Sequence, residues 1–144
     1  MRVVDLIRSR HEVYSIKEEI TVHDAARYLR DHQVRSVGVL DGAGRLAGVI
    51  SQSDISDKVA AENKCPAWMR VLEIMSRDLL VVHPEVPLEE CLRLMEKHGV
   101  FHLLVKEESG RFLGMISVAA LLQVIDSDHK ARADMFEAFA FPQR

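Results

Sequence analysis

The chain has 144 residues, 48% of them hydrophobic, with 19 Lys and Arg against 22 Asp and Glu for a formal net charge of −3. That supplies apolar material for one compact core and offers no electrostatic footing to a nucleic-acid backbone or an anionic bilayer. Asp5 and Arg8 interrupt the N-terminal apolar stretch where a secretion signal needs continuity, and no later run approaches a membrane span, so the expectation is a soluble, cytoplasmic protein with no nucleic-acid and no membrane partner.

In chain order, residues 3–7 read as one helical turn and residues 13–16 as a short strand. Thr21 followed by Asp24 resembles a capping box, and Val22, Ala25, Ala26 and Leu29 fall on one face of a helix running to about His32. Residues 36–40 alternate and are rich in valine, Asp41-Gly42 is a turn, and residues 46–51 form the return strand of a hairpin. A helix from Ser53 carries Ile55 and Val59 into the connector AENKCPAW, where Pro66 forbids continuation. The order then recurs. Residues 71–75 make a helical turn, residues 80–83 a strand, and Pro87 opens a helix at its first position. Gly99 stops that helix, strands follow at residues 102–106 and 112–117, and another helix starts near Val118. Beyond Asp126, Met135, Phe136 and Phe139 fall on one side of a helical tail.

The recurrence has a register. Gly48 returns as Gly114, 66 residues on (114 − 48), and the same step carries Arg45 to Arg111, Ser51 to Ser117, His32 to His98 and Asp24 to Glu90. The leading segments VVDLI and VLEIM match at 68 instead (71 − 3), which places a two-residue length difference in the loop between. Residues 1–64 are therefore assigned to a first repeat with the start of the connector, residues 65–126 to a second repeat, and residues 127–144 to a helical tail. Each repeat is a β-α-β-β-α unit too small to close its own core. The expected fold is α/β (α+β), with two such units packed about a pseudo-twofold axis, sharing one core and leaving paired clefts. The two cysteines make no disulfide framework: Cys91 takes the buried helix position of Ala25 and Cys65 lies in the connector.

The doubled order of elements, the GVIS and GMIS strands, and Ser51-x-x-Asp54 at a helix start together resemble a tandem pair of CBS domains, the Bateman module, over roughly residues 1–126. The resemblance implies a regulatory ligand, an adenine nucleotide (AMP, ADP or ATP) or a related adenosyl compound, with no other cofactor. It implies that Asp54 holds the ribose hydroxyls as an exposed cleft carboxylate, with Ser51 beside it at the helix start. Basic groups before the middle strand reach phosphate in the family, which corresponds here to Arg35-Ser36 and Phe101-His102; adenine is gripped along the first strand, here Val13, Tyr14 and Ser15, with Val37 and Gly38 nearby. Gly38 stands where the family often has proline, and Ala120 stands where the second repeat would need its aspartate, so Ser117 and His102 face a cleft without a ribose carboxylate. The family also implies a homodimer, to which the apolar tail would contribute; regulated enzymes or transporters often share a chain with such a module, and with no such domain visible in this sequence the target is expected on a separate chain.

Each assignment has a plainer counterpart. Ser51 and Asp54 suit a helix cap, Arg35 a solvated strand edge, and Tyr14 a partly buried aromatic. His98 and His102 are four apart, but Gly99 separates helix from strand between them and no HExxH or Cys-x-x-Cys accompanies them, so no metal site is expected. The DGAG turn lacks Gly-Lys-[Ser/Thr], and Ser51 has no GxSxG elbow. No catalytic activity is expected; the alternative function is a dimerisation or scaffold domain that binds no nucleotide.

Overall fold

Hydrophobic alternation in the two hairpins produces two three-stranded sheets of the same design in the computed structural model, which describes residues 1–8 and 13–124. The first half runs α1 (Val3–Arg8), β1 (Ser15–Lys17), α2 (Val22–His32), β2 (Ser36–Leu40), β3 (Leu46–Ser51) and α3 (Gln52–Ile55), the last widening into a π-helical turn at Ser56–Ala60. A 3-10 turn at Pro66–Trp68 leads to α4 (Val71–Ile74), β4 (Val81–Val82), α5 (Leu88–His98), β5 (His102–Lys106), β6 (Phe112–Ser117) and α6 (Val118–Val124). In each sheet the first strand pairs parallel with the second, and the second antiparallel with the third. The apolar tail lies outside the described residues.

Local signals explain most boundaries. Thr21 caps α2 by accepting from the Asp24 N–H at 3.1 Å, and Gln33 closes the helix in the left-handed region at φ 56. Gly99 closes α5 in the same way at φ 64. Pro87 proves to be the N-cap of α5, with extended backbone at ψ 146, and Leu88 is the first helical residue. A proline serves there because a cap residue needs no helical N–H bond.

The expected single core is replaced by two, and each is completed by the other repeat. Val71, Ile74 and Met75 of the second repeat pack with Val22, Leu29, Val39 and Ile50 of the first. Val3 of the first repeat packs with Leu88, Met95, Leu103 and Ile116 of the second. The backbone bonds of this crossing obey the sequence registers. Val71 N–H donates to the Ile20 carbonyl and Val3 N–H to that of Val86, the donors 68 apart (71 − 3) and the acceptors 66 apart (86 − 20). Val22 N–H to Met69 and Leu88 N–H to Met1 repeat the relation. The change of offset between leading segment and sheet thus coincides with the crossing. It also explains the repeated glycine: a Cβ on Gly48 would lie 2.8 Å from the Ser76 carbonyl oxygen and 2.8 Å from Met75 Sδ, while Gly114, at φ +136, meets Ile7. Between the repeats the Phe112 ring rests against Gly38, and Leu46 N–H donates to the Gly110 carbonyl at 3.1 Å.

Candidate functional site

Parallel pairing of β1 with β2 and antiparallel return of β3 bring three chain ends to one edge of the first sheet. Ser15 lies opposite Gly38 and Ser36 opposite Ser51, and the Gln52 N–H donates to the Arg35 carbonyl at 2.9 Å. Val13, Tyr14, Ser15, Arg35, Ser36, Ser51 and Asp54 are therefore gathered there. Their side chains differ in what they offer. Arg35 and Val13 are exposed, whereas Val37 is 1% exposed inside the first core and presents only backbone. Gly38 is covered by Phe112, a Cβ there lying 2.5 Å from its ring, so any side chain, proline included, would displace the aromatic. Tyr14 packs edge-on against His32 with centroids 5.1 Å apart, and His32 in turn stacks on Tyr28 at 4.0 Å.

Asp54 is the one buried charged residue among those described, 9% exposed, which corrects the expectation of an open cleft carboxylate. The reason is a reciprocal cap. Ser51 accepts from the Asp54 N–H at 3.2 Å, while Asp54 Oδ2 accepts from the Ser51 N–H at 2.9 Å and from its hydroxyl at 3.0 Å. The other oxygen, Oδ1, accepts from Lys58 Nζ at 3.1 Å and from the Ser76 hydroxyl at 3.4 Å. Lys58 Nζ also donates to the Ile74 carbonyl at 2.8 Å. The i,i+4 spacing of Asp54 and Lys58 was a legible signal; Ser76 arrives only because α4 crosses between repeats, which no local pattern announces. Ser76 is held by paired backbone bonds with Val49, at 2.9 and 2.8 Å.

The second repeat builds the same frame without the acid. His102 lies opposite Ser117, the Val118 N–H donates to the Phe101 carbonyl at 2.9 Å, and the Ser117 hydroxyl accepts from the Ala120 N–H at 3.1 Å. Partial withdrawal of the His102 ring from water lowers its pKa below the ordinary 6.5. Cys91 is buried, and burial, helped by the negative charge of Glu90, raises its thiol to about 11. Among the described residues no group of three or more His, Cys, Asp or Glu comes together to hold a metal, and no helix is long and apolar enough to cross a membrane. An open depression of about 490 Å³, lined by Lys17, Glu18, Glu19 and the turn after Leu40, lies at the opposite end of β2 from Ser36 and Ser51.

Residues 3–61 and 71–127 each match the family described as the CBS domain. A homoserine O-acetyltransferase of Methanocorpusculum labreanum is 30% identical over 121 residues, which is 84% of this chain but 23% of that protein, so the chain spans about a quarter of its length. A protein with CBS domains from Burkholderia ambifaria MC40-6, to which signal transduction is ascribed, is 26% identical with a TM-score of 0.76, the match covering 90% of this chain and 96% of that one. A CBS domain pair solved in complex with methylthioadenosine and S-adenosyl-L-methionine has a TM-score of 0.74 at 23% identity, covering 88% of this chain and 97% of that one.

Proposed function

This chain belongs to the CBS-domain family, in which tandem pairs are regulatory modules and generally not catalytic, and from that premise we propose that it senses an adenosyl ligand in the first-repeat cleft and passes the signal to a separate protein. AMP, ADP, ATP and S-adenosylmethionine are the ligands to try. Asp54 accepts from the vicinal ribose hydroxyls, Ser51 positions that carboxylate, and Arg35 meets phosphate. Val13, Tyr14 and Ser15, with the backbone of Val37 and Gly38, flank the base. The observation that carries the reading is the asymmetry between the repeats: a carboxylate stands at the sheet edge in one, an edge that the exposed Arg35 joins through its carbonyl bond from Gln52, and Ala120 takes its place in the other. A diol recognised by an anion is a charge-assisted contact that an alanine cannot reproduce. In the second cleft, His102 and Ser117 are left to bind weakly or through phosphate alone. The working unit is a homodimer, which light scattering at micromolar concentration checks; a monomer there removes it.

A second reading, a scaffold that binds no nucleotide, draws on one observation. Both oxygens of Asp54 are already engaged by the chain itself. Thermal melting with a panel of adenosyl ligands separates the two, because a ligand that binds only the folded state raises the midpoint by mass action. A rise with at least one ligand supports the sensor. No shift with any of them at millimolar concentration supports the scaffold.

A further inference from the structure

A carboxylate offers roughly four acceptor positions, and those of Asp54 are unequal. The two on Oδ2 belong to the Ser51 cap, a local bond set that holds the start of α3. The two on Oδ1 come from farther off. The Ser76 hydroxyl makes a long bond at 3.4 Å. Lys58 reaches Oδ1 on a flexible stem and is 46% exposed, against 11% for the Asp54 side chain. Oδ1 is therefore where a ligand can enter, and Lys58 is what it must displace. The helix widens into its π-helical turn around this lysine, with the Ala61 N–H reaching the Ser56 carbonyl at 2.8 Å, a distortion often found at functional sites.

We propose, resting on the ribose reading of Asp54, that Lys58 sets the ligand preference of the cleft: it occupies Oδ1, gives way to the ribose diol, and takes the ligand's phosphate as its new counter-ion. Separating an ammonium from a mostly buried carboxylate forfeits a charge pair in a poorly screened setting. A nucleoside restores nothing, since its hydroxyls replace the donors on Oδ1 but leave Lys58 with the Ile74 carbonyl alone. A phosphate on the same ribose lies within the sweep of the four-carbon lysine stem and restores the pair. The cleft thereby favours phosphorylated adenine nucleotides over adenosine.

The test is calorimetric titration of the full chain with adenosine and with AMP, for the parent, Lys58→Met and Asp54→Ala. In the parent AMP binds more tightly; Lys58→Met binds adenosine more tightly than the parent and AMP more weakly, so the ratio of the two dissociation constants collapses by about 10-fold or more. Lys58→Gln, which can still donate to Oδ1 but carries no charge, loses the AMP preference in the same way and serves if the methionine variant folds poorly. Equal changes for both ligands, or none, overturn the role of Lys58 while leaving the sensor in place. If Asp54→Ala binds as the parent does, or if no form binds either ligand, the ribose reading itself fails and takes this one with it.

Discussion

Asp54 shows how a cap and a proposed binding group are written in the same letters. Ser51-x-x-Asp54 was legible as both, and the structure satisfies the cap reading in full: the serine and aspartate exchange three hydrogen bonds. Lys58 and Ser76 make the acid more than a cap, so Asp54→Ala takes the counter-ion from Lys58, leaving it the Ile74 carbonyl, and the acceptor from the Ser76 hydroxyl. We expect a stability loss of about 2–3 kcal/mol by denaturant unfolding, above the roughly 1 kcal/mol of an ordinary cap; a loss no larger than that of the cap would show that the Oδ1 contacts count for nothing. His102 sets a pH dependence of definite sign. Its folded pKa lies below 6.5 because its ring is partly withdrawn from water, so as pH falls through 6.5 the unfolded chain takes up a proton that the folded one refuses. Stability then falls until the lowered native value is passed. His102→Gln should flatten that part of the curve, and a parent and variant with parallel profiles between pH 7 and 5 would contradict the assignment.

At the scale of elements, the hairpins, α2 and α5 were readable because their signals are local: valine alternation, Asp41-Gly42, Thr21 as cap, Gly99 as stop. The crossing of α1 and α4 was not, since Val3–Arg8 and Val71–Ile74 are amphipathic turns that carry no label of the core they enter. Only the shift from a 66- to a 68-residue offset hinted that the leading segments stand apart from the sheets they precede. The crossing makes a reciprocal prediction. Val3→Ala should destabilise the second-repeat core and Val71→Ala the first, each by about 1–3 kcal/mol for a fully buried valine. Hydrogen exchange reads this locally: Val3→Ala lowers protection at Leu103 and Ile116 more than at Val39 and Ile50, and Val71→Ala does the reverse. Each substitution loosening its own repeat instead would contradict the crossing. Gly48→Ala tests the same seam from the sheet side. A Cβ 2.8 Å from the Ser76 carbonyl must push Ser76 away from Val49 and Asp54, and the expected cost is about 1–3 kcal/mol.

Over the whole molecule, composition set the scale and the internal repeat set the architecture, but neither fixed how many cores there would be. Exchange of α1 and α4 ties the two cores together, so a change at the Asp54 edge has a direct route into the other repeat. Lys58 and Ser76 connect α3 to the segment that leaves the first core for the second. That is a physical basis for the proposed sensor to give its output as a shift between repeats. The asymmetry of the clefts gives its most direct test, calorimetric stoichiometry with the adenosyl ligand that melting selects. One tight site per chain is expected, weakened about 10-fold or more by Asp54→Ala and unaffected by His102→Gln, which touches only the weak second cleft. Two equivalent sites per chain, or undiminished binding after Asp54→Ala, would contradict that expectation.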